Sequence, residues 1–163
     1  MEQSCFTERP DWIAGFVDGE GCFTLKIVRS NKATYKIQVQ LEFFVAQHER
    51  SKHVLHDLQK YFGCGYVCQN KNCFEYRVHK TEDLRRVILP FFKKYPLLTN
   101  KKHDFDTFCT IFDRMSNGEH LNASGLMNIV QLGYTMNSLG ASRKHTLEAQ
   151  LKRIEQMNQK RYS

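Results

Sequence analysis

Apolar residues recur along this chain with two different spacings, and the changes of spacing mark out its elements. From about Pro10 to Gly19 the spacing is helical, and proline suits a first helical turn, which places the start between Thr7 and Pro10. The period then falls to two. In CFTLKIV, Phe23, Leu25 and Ile27 are apolar while Thr24 and Lys26 are polar. RSNKAT reads as a turn, and YKIQVQLEFFVAQ alternates again. Ile37, Val39, Leu41, Phe43 and Val45 share one face; Lys36, Gln38, Gln40, Glu42 and Phe44 share the other. The two segments predict a hairpin with one apolar and one polar face.

Helical spacing returns in ERSKHVLHDLQKYFG, through Val54, Leu55, Leu58 and Phe62, and Gly63 ends it. GYVCQN and CFEYRVH predict a second hairpin, with Phe74, Tyr76 and Val78 on one face and Glu75 and Arg77 on the other. TEDLRRVILPFFKKYP predicts a third helix, with Thr81 as its cap and Pro90 falling late. Three more helices follow: one through Phe105, Phe108, Ile111 and Phe112, one in NASGLMNIVQLGYTMNSLG and one in HTLEAQLKRIEQMNQKRY. Gly118 and LGASRK punctuate them. Four antiparallel strands with helices over one face make an α+β domain. A single domain over residues 1–163 is expected, with a core at about 8–140 and a helical extension at 141–163. The other sheet face stays polar. There Gln38 and Gln40 suit adenine edges, while Lys26, Arg29 and Arg77 suit guanine or phosphate.

Composition narrows the partner. Lys and Arg number 24 against 17 acids, a formal charge of +7, which suits a polyanion such as nucleic acid. Hydrophobic residues make up 41%, spread along the length, which argues against disorder. No apolar run approaches the roughly eighteen residues a bilayer span needs, so no membrane partner is expected. The N-terminus lacks a secretory pattern. The six cysteines form no CxxC pair. Cys64, Cys68 and Cys73 with His79 fit no zinc spacing, so reduced thiols are the expectation.

One stretch does not fit a simple packing helix. IAGFVDGEG, Ile13 to Gly21, holds three glycines and ends in Asp18 and Glu20. Gly15 and Gly19 stand four apart, on one helix face, where their missing side chains let another helix come close. A C-cap at Gly19 or Gly21 leaves Gly15 unexplained, and a packing seam inside one subunit leaves Glu20 unexplained. A helix C-terminus carries partial negative charge, so these acids need a cation nearby. The stretch resembles the LAGLIDADG motif of the homing endonucleases, position for position, with Glu20 in place of the final Asp. The order helix, hairpin, helix, hairpin, helix is similar to that family's αββαββα core. ILPFFKKYPLLTNKKHDF and GLMNIVQLGYTMN also resemble family segments. The likeness covers roughly residues 8 to 140.

The resemblance implies a set of roles. Two copies of the motif helix pack at a twofold axis, through Trp12, Gly15, Phe16, Asp18 and Gly19, and their ends meet over DNA. With no second motif in the chain, it works as a homodimer on a pseudo-palindromic site. Glu20, with the Gly19 carbonyl, holds a divalent cation, Mg²⁺ with Mn²⁺ able to substitute. Asp18 has a structural role at the helix end. Gln47 orients water, and the active-site lysine is Lys101, with Lys102 next. Some relatives carry an arginine just after the Gln47 position; Ser51 falls nearest here, flanked by Arg50 and Lys52, so that helper role is unassigned. His48 and His53 are read as surface residues. The implied DNA face holds Thr24, Lys26, Val28, Arg29, Ser30, Lys32, Lys36, Gln38, Gln40, Glu42, Phe44, Cys68, Asn70, Glu75 and Arg77.

The implied function is site-specific double-strand cleavage of DNA with short 3′ overhangs. The alternative is a maturase that helps a group I intron RNA splice. A transcription regulator would bring a helix-turn-helix domain, for which the chain has no room. The family also implies an organellar home, chloroplast before mitochondrion, with which the lack of a transit peptide agrees.

Overall fold

A computed structural model describes residues 9–137 and 143–163 of the chain. Thr7, Cys5 and most of the LGASRK segment lie outside the described residues. The elements run α1 (Pro10–Glu20), β1 (Gly21–Arg29), β2 (Ile37–His48), α2 (Lys52–Phe62), β3 (Tyr66–Asn70) and β4 (Cys73–Val78). Then Thr81–Asp83, a π turn at Leu84–Ile88 and Leu89–Lys94 run on as one helix, α3. The last helices are α4 (Lys101–Ser116), α5 (Ala123–Thr135) and α6 (Leu147–Tyr162). The strands form one sheet in the order β1-β2-β4-β3, with β4 antiparallel to both β2 and β3. The expected α+β order is therefore present.

Contacts divide the chain into two compact units, and both strands of the first hairpin run from one into the other. The first unit holds the chain up to Phe23 together with Glu42–Lys102. Its core is aromatic. Phe23 stacks on Phe43 at 5.0 Å, and Phe92 of α3 stands edge-on to both, at 5.4 and 5.5 Å. Tyr76 closes on Phe43 edge-on and on Phe62 of α2 face-on, each at 6.2 Å. Offset and edge-on pairs of this kind add to the burial of the rings themselves. Leu55, Leu58 and Phe62 sit on one stripe of α2 and are buried, as their spacing predicts. Phe74 departs from its expected face-mates Tyr76 and Val78: it is half-buried, with the Lys52 ammonium 5.1 Å above its ring.

The cap of α3 and a turn within it differ from expectation. The cap position of α3 is Lys80, not Thr81, and no side chain caps it. Pro90 accounts for the π turn before it. Proline has no N–H to give the carbonyl four residues back and its ring crowds that carbonyl, so the preceding turn widens.

The second unit holds Thr24–Leu41 and His103–Ser163. Phe105, Phe108, Ile111 and Phe112 line the buried side of α4, and Leu126, Ile129 and Val130 that of α5. Asn122 caps α5 by accepting from the Gly125 N–H at 2.8 Å, and Thr146 caps α6 by accepting from Ala149 at 3.2 Å. Between the strands, Ser30 and Ala33 accept from Ala33 and Lys36 in turn, and Ser30 N–H donates to the Lys36 carbonyl at 3.1 Å. Ile27, expected on the apolar face, is half-buried.

Gly65, between α2 and β3, has φ +74°, and a Cβ there would lie 2.5 Å from the Arg77 carbonyl oxygen. Both the backbone conformation and the space demand glycine. Gly65→Ala is expected to lower stability by about 1–3 kcal/mol in urea unfolding; an unchanged midpoint would mean the loop relaxes freely.

Candidate active site

The motif helix α1 carries its functional groups at its C-terminal end because strand β1 begins at once. Ile13, Ala14 and Val17 are buried on the inner side. Gly21 terminates the helix: it is buried, its N–H donates to the Val17 carbonyl, and a Cβ would lie 2.6 Å from Val17 Cγ1. The cap glycine is therefore Gly21. Gly15 and Gly19 differ from it. Each is exposed, and a Cβ at either would meet nothing within 4 Å. No seam inside the described chain requires them small. Trp12 and Phe16 lie on the same stripe, with their rings stacked at 4.9 Å.

No basic residue occupies the last turn of α1. The cation arrives from the start of α4. Lys101 Nζ donates to the Gly21 carbonyl and, at 3.4 Å, to the Gly19 carbonyl. A cation at helix-terminal carbonyls is the favourable arrangement, and it answers the charge problem posed by the two acids. Asp18 meets the opposite end of the same segment. Its carboxylate accepts from Leu98 N–H at 2.9 Å, from Thr99 N–H at 3.1 Å and from the Thr99 hydroxyl at 2.6 Å. Thr99 in turn caps α4: its hydroxyl accepts from Lys101 N–H and its carbonyl from Lys102 N–H, at 3.2 and 3.0 Å. Asp18 thus sets the position of the loop that carries Lys101. Desolvation raises the Asp18 pKa, but the hydrogen bonds from Thr99 and Leu98 and the charge of Lys101 outweigh it and hold the carboxyl below its ordinary range.

Glu20 is exposed, and Gln47 at the end of β2 reaches it, donating from Nε2 to Oε2 at 3.2 Å. Glu20, Gly19, Gln47 and Lys101 are therefore brought together as the sequence suggested. The oxygen donors are one carboxylate and backbone carbonyls. Among the described residues no three His, Cys, Asp or Glu side chains cluster. That donor set is too poor for an all-protein cage and would suit only a hard cation that takes further oxygen ligands from a bound partner such as a phosphate. His48 is exposed, its Nδ1 accepting from Arg50 N–H at 3.4 Å, and Lys52 pairs with Glu49 at 3.9 Å.

A family model described as LAGLIDADG endonuclease matches residues 13–112. The chain belongs to the LAGLIDADG endonuclease family. A probable intron-encoded endonuclease of Neurospora crassa is 33% identical over 80% of the chain, and the chain spans 25% of that relative's length. The DNA endonuclease I-CvuI of Chlorella vulgaris is 29% identical over 85% of the chain and 84% of its own. Among solved structures, the homing endonuclease I-TnaI superposes with a TM-score of 0.79 at 38% identity, over 91% of this chain and 97% of that one. The archaeal intron-encoded I-Vdi141I in complex with DNA gives 0.83 at 25% identity, over 93% and 97%.

In this LAGLIDADG chain the residues expected to face DNA divide between the two units. In the second, Val28, Arg29, Lys32, Lys36 and Gln38 are exposed, while Thr24, Lys26, Ser30 and Gln40 are half-buried. Lys36 has φ 57°, and its ammonium donates to the Asn31 carbonyl at 2.7 Å. In the first unit, Phe44 and Cys68 are half-buried and Asn70 is exposed. Glu42 and Glu75, expected on an open polar face, are instead buried, 1% and 7% exposed. The reason is Arg77. It pairs with both carboxylates and lies over the Phe44 ring, 5.0 Å from its centroid. Burial lowers the Arg77 pKa, but the hydrogen bonds it donates to both acids, with their charges, more than reverse this and raise it.

The sequence reading missed Thr99 and Leu98. A threonine just before a helical pattern is an N-cap signal, and it was available in LTNKK. The depressed Asp18 pKa has a defined consequence. Its contribution to stability is full above its unfolded value, near 3.8, and is lost as pH falls through the lower folded value. Asp18→Asn is expected to flatten the acid limb of the stability profile below about pH 4; an unaltered limb would detach Asp18 from the Thr99 loop.

Proposed function

We propose that this chain is one subunit of a homodimeric, site-specific DNA endonuclease that cuts both strands of a long pseudo-palindromic site, leaving short 3′ overhangs. The observation that carries the reading is the arrangement at the end of α1. An exposed Glu20, oriented by Gln47, stands beside carbonyls that hold Lys101, at the end of a helix whose Gly15 and Gly19 face is open. Two such faces apposed place two Glu20 carboxylates side by side, one for each strand. The DNA complex of I-Vdi141I and the name of I-CvuI support double-stranded DNA as substrate.

Glu20 and the Gly19 carbonyl would hold a divalent cation, Mg²⁺ with Mn²⁺ able to substitute, which when bound neutralises charge on the scissile phosphate. A relative, I-SmaMI, is described as bound to uncleaved DNA in the presence of calcium ions. The Gln47 amide positions the attacking water. Lys101 places positive charge beside the phosphate, where charge grows in the transition state. Asp18, by holding Thr99, keeps Lys101 at the site. An organellar intron is the proposed home, consistent with fungal relatives described from ND4 and Cox1 introns and with an algal one.

Wild type is expected to make discrete cuts in intron-free organellar DNA with Mg²⁺. Glu20→Gln should cut at least about 100-fold more slowly while still binding that DNA. Full cleavage by this variant would remove Glu20 from the chemistry. Binding without cutting by wild type would instead favour a splicing cofactor for group I intron RNA. Gly15→Leu is expected to sediment as a monomer; a retained dimer would overturn the proposed interface.

A further inference from the structure

The Arg77 cluster has a geometry that goes beyond a general DNA-facing surface. Nε and Nη2 both donate to Oε2 of Glu75, and Nη1 donates to Oε2 of Glu42. Glu75 is itself held from the other side, where Asn70 Nδ2 donates to its Oε1 at 3.0 Å. The guanidinium is stacked on Phe44, whose Cα lies opposite that of Arg77 in the β2–β4 ladder. Four side chains thus fix the plane and direction of one guanidinium. They do so on the sheet face opposite the buried Phe43, Tyr76 and Val78.

A guanidinium has five N–H donors. Three are engaged by the two carboxylates, which leaves one on each terminal nitrogen. The Arg77 side chain keeps 13% of its surface open. A planar pair of donors held at a fixed spacing matches a partner with two adjacent acceptors. In the major groove that pattern is guanine, through O6 and N7. A lone phosphate would be served as well by a mobile surface lysine, without two buried acids to orient it.

We propose that Arg77 reads a guanine in each half-site, and that Glu42 and Glu75 are positioning residues that fix the orientation of its fork. This rests on the DNA-cleavage reading above and names the base that one part of the surface recognises. The acids act through Arg77. Neutralising either one loosens the fork and weakens discrimination at that one base pair, and leaves the other positions of the site unchanged.

The test is selection of bound sequences from a random-sequence DNA duplex pool in Ca²⁺ by the full chain, followed by affinity measurement at each position. Wild type is expected to select guanine at one position per half-site, by roughly 5- to 150-fold over other bases. Arg77→Lys, which keeps the charge but not the fork, should abolish that preference alone. Glu42→Gln and Glu75→Gln should each reduce it. Arg77→Ala leaves two buried carboxylates without their cation and can fail to fold. The triple variant Glu42→Gln, Glu75→Gln, Arg77→Gln avoids this and should shift the preference from guanine toward adenine. Selection of sequence by wild type with a profile unmoved by Arg77→Lys would overturn this inference and leave the endonuclease reading standing. No selection at any position by wild type would overturn both.

Discussion

The meeting of two helix ends governs this site. The C-terminus of α1 presents carbonyl oxygens and two acids; the segment leading into α4 presents N–H groups, a threonine hydroxyl and a lysine. Asp18 takes the donors of Leu98 and Thr99, and Lys101 returns a cation to the carbonyls of Gly19 and Gly21. Each end supplies what the other lacks, since helix starts favour anions and helix ends favour cations. Glu20 is the acid left outside this exchange, exposed and contacted by the Gln47 amide. The division of labour between two acids two residues apart follows from direction: Asp18 turns to the adjoining loop, while Glu20 stands at the junction with β1.

The three motif glycines also divide by surroundings. Gly21 is small because its own chain crowds it, while Gly15 and Gly19 face open space. Crowding is an intrachain reason and openness is not. Small residues on an exposed stripe between Trp12 and Phe16 suit close approach by another helix. The same helix therefore serves folding through its buried Ile13, Ala14 and Val17, and its opposite side is left open for the helix apposition proposed above.

On the sheet, electrostatics and packing are joined in the same way. Glu42 and Glu75 leave water to flank Arg77, and burial of such charges is tolerable where every partner is hydrogen-bonded. Such an arrangement adds little net stability relative to apolar packing. What it contributes is a fixed orientation for one side chain.

The sequence by itself determined the order of elements and the core. Alternation at Phe23, Leu25, Ile37, Val39, Leu41, Phe43 and Val45, and helical spacing at Leu55, Leu58, Phe62, Phe105, Phe108 and Ile111, place those residues inside, because burial of apolar area follows periodicity directly. The motif marked Gly19 and Glu20, and the family resemblance implied Gln47 and Lys101; the structure gathers these four. Two features needed the tertiary structure. Which acid of the motif binds the loop depends on where residues 98 and 99 arrive, eighty positions along the chain. That Glu42 and Glu75 are buried depends on the β2–β4 register, which sets Arg77 between them. The π turn of α3, by contrast, has a local cause in Pro90. Local patterns record which side of an element is apolar; they do not record which polar groups from distant segments meet, because a hydrogen bond is decided by position and direction rather than by composition.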